Sequence, residues 1–249
     1  MKDKKMLTLI TFLIFSYILV NYIFPIKDSN LSIDTQSKTI TENSEKKIIY
    51  LTFDDGPSAV ITNKILDILK EQNIKATFFV VGNKIQGRED ILKRIYTEGH
   101  TIGLHTYTHK YRQIYSSEDV FIEEMNKTSE EIKKVINIEP TAIRFPSGSK
   151  KHLTSSLLEK LHEHNYKIYD WNLCLSDGID YNTPATKLYK EATAKCINPN
   201  KIFLLAHCDQ PNKNTCDALP NIIKHYKDLG YEFQSITNDT PEYHFRVSK

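Results

Sequence analysis

Residues 48–81 read IIYLTFDDGPSAVITNKILDILKEQNIKATFFVV. Two runs of apolar, β-branched and aromatic residues, IIYLTF (48–53) and ATFFVV (76–81), flank ITNKILDILKEQ, in which apolar residues recur at intervals of three and four. The outer patterns are those of strands and the inner one is that of an amphipathic helix. Strand, helix and strand in this order predict two parallel strands joined by a right-handed crossover.

The alternation continues to the C-terminus. Further strand runs are HTIGL (100–104), TAIRF (141–145), KIYDWN (167–172), IFLLA (202–206) and YEFQSI (231–236), which makes seven. Between them lie EDILKRIYTEG, SSEDVFIEEMNKTSEEIKKVI, TSSLLEKLHEHN, TPATKLYKEATAK and CDALPNIIKHYKDLG, all with helical periodicity. Ser117, Thr154 and Thr183 stand where helix N-caps belong. Six helices joining seven strands predict an α/β fold on a parallel sheet, either closed as a barrel or open and doubly wound. No internal repeat and no second domain are visible.

The segment before this domain is different. Met1–Lys5 reads MKDKK, and Leu7–Ile26 is uncharged over 20 residues. As a helix that run is about 30 Å long, the thickness of a bilayer's hydrocarbon core. Residues 1–27 are therefore expected to form a single-pass membrane anchor, with the N-terminal lysines inside and the rest of the chain outside the cell. A cleaved signal peptide, and so a secreted protein, is the alternative. Residues 28–46 are polar and aperiodic and are expected to form an extracellular linker to a domain spanning 47–249. Lys plus Arg is 33 and Asp plus Glu is 31. This near-neutral balance argues against nucleic acid as a partner.

In either parallel architecture, chemistry belongs at the C-terminal strand ends. Those ends read DDG (54–56), HTYTH (105–109), RFPSG (144–148), SDG (176–178) and HCD (207–209). Asp54 and Asp55 sit on a turn closed by Gly56 and Pro57, and His105 and His109 are four apart, on one helical turn or in a tight loop. Two imidazoles and a carboxylate form a three-ligand set that leaves a position open for water, the pattern of a catalytic rather than a structural zinc site.

In order and spacing, TFDDG (52–56), HTYTH (105–109), RFPSGS (144–149), WNLCLSD (171–177) and LLAH (204–207) resemble the five motifs of the polysaccharide deacetylases with the NodB homology domain, carbohydrate esterase family 4. The resemblance spans roughly residues 47–237. It implies a distorted (β/α)7 barrel and removal of N-acetyl groups from amino-sugar polysaccharide, with peptidoglycan N-acetylglucosamine as the first substrate. It also implies roles. Asp55, His105 and His109 would hold one divalent cation, zinc first and cobalt or nickel as alternatives. Asp54 would be the base that takes a proton from water, and His207 the acid that protonates the leaving nitrogen. Asp177 would orient His207 and keep it charged, and Arg144 would pair with Asp54. The backbone N–H of Ser147 would help hold the oxyanion, and Trp171 and Leu205 would wall a pocket for the acetyl methyl.

The chain departs from the family pattern at Ser147, at Gly178 where a Trp often follows the fourth-motif Asp, and at Cys208 where an Asp is common. The first two suggest a more open cleft, and the third leaves the surroundings of His207 undetermined. Cys174, Cys196, Cys208 and Cys216 lie in a domain expected outside the cell, where disulfides persist, and a 174–208 pairing is one option. His100, His152, His162, His164, His225 and His244 receive no role. Competing functions are a chitooligosaccharide or acetylxylan deacetylase, a non-catalytic carbohydrate-binding surface protein of the same fold, and a metal phosphoesterase. The last would usually need a second metal cluster, which the sequence does not offer.

Overall fold

Strand β1 (Ile48–Gly56) is buried along its length, with only Ile48 and Asp55 partly accessible. That is the signature of a central strand covered on both faces. The computed structural model describes residues 46–247. All strands in it pair in parallel: β2 (Thr77–Val80), β3 (Thr101–Leu104), β4 (Ala142–Ile143), β5 (Lys167–Ile168), β6 (Leu173–Cys174), β7 (Lys201–His207) and β8 (Glu232–Gln234), in the order β5-β4-β3-β2-β1-β7-β6. The short β8 continues the line of β2, pairing with Ile48–Tyr50 where β2 pairs with Thr52–Gly56.

Strands β5 and β6 are consecutive in the chain yet lie at the two ends of this order. Five residue steps, from Ile168 to Leu173, reach at most about 18 Å, whereas seven strands laid flat would separate their ends by roughly 29 Å. The sheet is therefore bent round on itself, a parallel half-barrel consistent with the (β/α)7 type, with no ladder between β5 and β6. The same crossing explains why the single strand expected at 167–172 is two. Tyr169 N–H still donates to Ile143 on the β4 side, but Asn172 N–H donates to Phe203 on the β7 side. The intervening turn is tied to the C-terminal segment, where Asp170 N–H donates to the carbonyl of Tyr243.

The helices are α1 (Ile61–Glu71), α2 (Glu89–Thr97), α3 (Glu118–Ile136), α4 (Ser155–Glu163), α5 (Ala185–Ala192) and α6 (Lys213–Asp228), with a single helical turn at Tyr111–Ile114. Each amphipathic segment read from the sequence forms one of the six. Ser117 and Thr154 cap α3 and α4 by accepting from the Val120 and Leu157 N–H groups. Thr183 does not cap α5. Pro184 holds that position, and the buried Thr183 hydroxyl faces Ser176 instead.

The two faces of the sheet differ. Ile49, Leu51 and Phe53 of β1 pack into the large cluster that includes the helices, whereas Tyr50 joins Phe79, Ala142, Tyr169, Phe203 and Ile236 in a cluster without helical residues. Side chains alternate along a strand, so Thr52 and Asp54 share the Tyr50 side, which is the interior of the half-barrel. The aromatic stack of Tyr50 on Phe203 (4.6 Å) and Phe203 on Tyr243 (4.9 Å) plugs its lower part. Polar chemistry begins above that plug.

The expected anchor (1–27) lies outside the described residues, as does the expected linker (28–46) except for Lys46, which pairs with Glu232 at 2.6 Å. Among the described residues no helix is long and apolar enough to cross a membrane. All four cysteines are free thiols, and the 174–208 pairing does not form. Cys174 is exposed, whereas Cys208 is buried with its thiol donating to the Asp54 carbonyl at 3.3 Å.

Candidate active site

Arg144, immediately after β4, is fully buried, and each contact of its guanidinium is accounted for by the fold. Nε donates to the Tyr169 carbonyl (2.7 Å), Nη1 to Thr52 Oγ1 (2.7 Å) and to Asp54 Oδ1 (2.9 Å), and Nη2 to the Asp170 carbonyl (3.2 Å). The ring of Phe79 lies under it at 4.2 Å. A buried cation is tolerable only with such pairing. The pair engages Asp54 Oδ1 and leaves Oδ2 directed toward His105, 3.6 Å from Nε2.

His105 follows β3 directly. Its Nδ1 lies 2.9 Å from the Arg144 carbonyl. A carbonyl only accepts, so Nδ1 donates to it and Nε2 is the ring nitrogen turned toward the Asp54 and Asp55 carboxylates. His109 is reached through a loop and not a helical turn, with Thr106 and His109 themselves at positive φ (63° and 55°). The buried carboxylate of Glu124, on α3, holds that loop. It accepts from the Tyr107 N–H (2.9 Å), the Thr108 N–H (2.7 Å) and hydroxyl (3.0 Å), and Gln113 Nε2 (3.1 Å).

Asp55 also has positive φ, 71°. Lys84 Nζ donates to its carbonyl at 3.0 Å and to Asp209 Oδ2 at 2.8 Å, so Asp209 serves the Asp55 turn rather than His207. Asp55 Oδ1 lies 3.2 Å from His109 Nε2 and 3.5 Å from His105 Nε2. It is buried without any hydrogen-bond partner. An orphaned carboxylate oxygen between two imidazole nitrogens is costly unless a cation occupies the gap. Among the described residues Asp55, His105 and His109 are the one group of this kind. The ionisation states agree. Burial opposes the Asp55 charge, but His105, His109, His207 and Lys84 outweigh it and hold the carboxyl below its usual value. Burial, helped by His105, pushes the His109 imidazole down to about 4. At neutral pH the set is a carboxylate and a neutral imidazole beside His105, the forms that ligate metal.

His207 ends β7. Its Nδ1 is 2.8 Å from Asp177 Oδ1, and its backbone N–H donates to Asp177 Oδ2 at 2.8 Å. Thr215 Oγ1 donates to the same oxygen (2.7 Å), and Asn212 Nδ2 to the Asp177 carbonyl (2.9 Å). Burial lowers the His207 pKa, but the Asp177 hydrogen bond and the charges of Asp177, Asp54 and Asp55 overcome it and raise it to about 9. Cys208 turns away into the core, so it leaves this pairing intact. Gly178 lies flat on the imidazole. A Cβ there would be 2.2 Å from His207 Cε1, so the glycine makes room for the ring rather than opening a cleft.

Asp54, Asp55, His105, His109, Ser147, Trp171, Leu205 and His207 line one cavity of about 360 Å³. Arg144 and Asp177 stand behind it as partners of Asp54 and His207. Ser147 has φ 66°, and its N–H has no partner among the described residues. All ten site residues read from the sequence thus fall in or directly behind one cavity. The sequence reading missed Glu124, Thr52, Lys84 and the further lining residues Tyr111, Cys174, Leu175 and Ile179.

Residues 41–169 match the family profile described as polysaccharide deacetylase. The chain belongs to that family. Within it, the chain is 31% identical over 211 residues to a peptidoglycan-N-acetylglucosamine deacetylase of Bacillus cereus, covering 82% of this chain and 73% of the relative. It is 28% identical over 211 residues to a peptidoglycan-N-acetylmuramic acid deacetylase of Bacillus subtilis, covering 84% and 78%. The crystal structure of a B. cereus polysaccharide deacetylase superposes with a TM-score of 0.71 at 30% identity, covering 81% of this chain and 96% of that one. The family fold is thus matched over the domain that carries the cavity.

Proposed function

We propose that this chain is a metal-dependent hydrolase that removes N-acetyl groups from amino-sugar polysaccharide, with peptidoglycan N-acetylglucosamine as substrate. The observation that carries the reading is the unpartnered Asp55 Oδ1 between His105 and His109, beside a carboxylate held by arginine and an imidazole held by aspartate. Asp55, His105 and His109 would hold the cation, zinc before cobalt or nickel. When bound, such a cation lowers the pKa of water toward neutrality and polarises an acyl oxygen.

The remaining work falls to the chain's own groups. Asp54, kept in place through Oδ1 by Arg144, takes a proton from the attacking water on Oδ2. The Ser147 N–H, which no described residue engages, would serve as a donor for the carbonyl oxygen as it gains charge. Trp171 and Leu205 enclose the acetyl methyl. His207, charged at neutral pH and held through Nδ1, presents Nε2 to the nitrogen as its bond to the acyl carbon breaks. Acetate and a free amine result.

In the same reading, residues 1–27 anchor the protein in the cell membrane, 28–46 tether it, and 47–249 form a distorted (β/α)7 barrel outside the cell that works on wall glycan. The relatives' names favour peptidoglycan and include both of its amino sugars. The test is acetate release from purified peptidoglycan, lost with chelator and restored by zinc. Activity confined to N-acetylmuramic acid, to chitooligosaccharide or to O-acetylated xylan would reassign the substrate. Intact glycan binding without turnover would favour the non-catalytic alternative.

A further inference from the structure

At the end of the sheet opposite the cavity, β1, β7 and β8 begin at Ile48, Lys201 and Glu232. Ile48 and Lys201 are register partners, as Asp54 and His207 are, so this end lies about 20 Å from the reacting groups. Two of the large hydrophobic side chains exposed among the described residues stand there: Ile197, fully exposed in the loop before β7, and Leu229, 48% exposed in the turn after α6. The two turns are tied together. The Tyr231 hydroxyl donates to the Pro199 carbonyl (2.6 Å), and Lys47 Nζ donates to the Leu229 carbonyl (3.3 Å) while lying over the Tyr231 ring (5.6 Å).

The charge left unpaired around them is positive. Lys195 and Lys227 each precede one of the two hydrophobics by two residues, Lys47 touches Leu229, and Lys201 opens β7; none has an acidic partner among the described residues. The acidic residues of the same turn, Asp228 and Glu232, are taken up by Lys224 and Lys46 at 2.6 Å each. Lys227 Nζ donates to the Gln72 carbonyl (2.7 Å), so together with Lys47 it covers the carbonyl ends of α1 and α6, which would otherwise repel an anion. Exposed aliphatic tips among lysines in excess of acids match an anionic bilayer surface, where the tips enter the headgroup layer and the ammonium groups meet phosphates. The chain also enters the domain here: Lys46 and Lys47 lead into β1, downstream of the uncharged run Leu7–Ile26.

We infer that this end of the domain docks on an anionic lipid surface through Ile197, Leu229 and the four lysines, which holds the cavity on the side away from the lipid. The inference rests on the proposed membrane anchoring and adds the face that the domain turns to the bilayer.

Hydrogen–deuterium exchange of the full-length protein in nanodiscs tests it, with phosphatidylglycerol discs compared against phosphatidylcholine discs. Residues 195–201 and 227–231 should exchange about fivefold more slowly in the anionic discs, and about 1 M salt should remove the difference. The Lys195→Glu, Lys227→Glu double variant and Ile197→Ser should each remove it too, with the thermal unfolding midpoint in detergent unchanged. Equal exchange in the two disc types, or slowing that the charge-reversed variant keeps, overturns the docking face. Protection that rises with protein concentration in detergent without lipid makes a second copy the occupant and overturns it as well. A chain that alkaline carbonate strips from vesicles overturns the anchor instead; slower exchange of the same residues on added phosphatidylglycerol vesicles would then still uphold the face, and its absence would overturn both.

Discussion

Asp54 and His207 are register partners on the neighbouring parallel strands β1 and β7. Each is fixed from behind by an opposite charge: Asp54 by Arg144 at 2.9 Å and His207 by Asp177 at 2.8 Å. One ladder rung therefore carries a carboxylate and an imidazole side by side, with the Asp55–His105–His109 group next to them.

The acceptor assignment is checked by Asp54→Asn. The amide keeps the volume and an oxygen for Arg144 but no longer takes a proton. Acetate release should fall by about 10²- to 10⁴-fold, while zinc binding, measured by competition with a chromophoric chelator, stays within a factor of a few.

The donor assignment has a pH signature. His207 is raised from 6.5 to about 9 in the fold, so its charged form is favoured there. Its contribution to stability is complete below pH 6.5 and is lost as the pH rises through 9. The alkaline limb of kcat should lie near pH 9 and move toward 6.5 in Asp177→Asn. Imidazole titration followed by NMR should shift with it.

Glu124 is expected to govern the His109 loop. Glu124→Ala leaves the Tyr107 and Thr108 donors without their acceptor, a cost of about 1–3 kcal/mol. Supporting groups of this kind typically contribute about 10- to 100-fold to metal affinity. Urea unfolding and zinc titration should both register the change, and Glu124→Gln, which keeps one acceptor oxygen, should recover part of each.

Gly178→Ala would place a methyl against the His207 ring. Displacing the imidazole should cost roughly 10- to 100-fold in turnover. Zinc affinity should be retained, because the added carbon meets His207 and none of the three ligands.

What the sequence discloses and what it hides have physical reasons. Asp54, Asp55, His105, Arg144 and His207 stand at strand ends, where a change from apolar to charged residues is visible without any structure. Glu124 is hidden because it sits beside Glu123 in an acidic helical segment, and only the approach of the 105–109 loop separates the buried carboxylate from a solvated one. The break in KIYDWN is hidden because its alternation suits one strand, while the constraint that splits it is the distance between sheet ends. Thr183 has the composition of a cap but does not act as one, because its hydroxyl is drawn inward to Ser176 across the turn after β6 and Pro184 takes the cap position. Gly178 reads from the sequence as a missing Trp, whereas its role depends on the ring of His207 29 residues later.

The most direct test is the location of a cation. Anomalous diffraction at the zinc edge, from crystals of the protein grown with one equivalent of zinc, should show a single peak bounded by Asp55 Oδ1, His105 Nε2 and His109 Nε2. A peak elsewhere with this cavity empty, or a peak that persists here in the Asp55→Ala, His109→Ala double variant, would contradict the account.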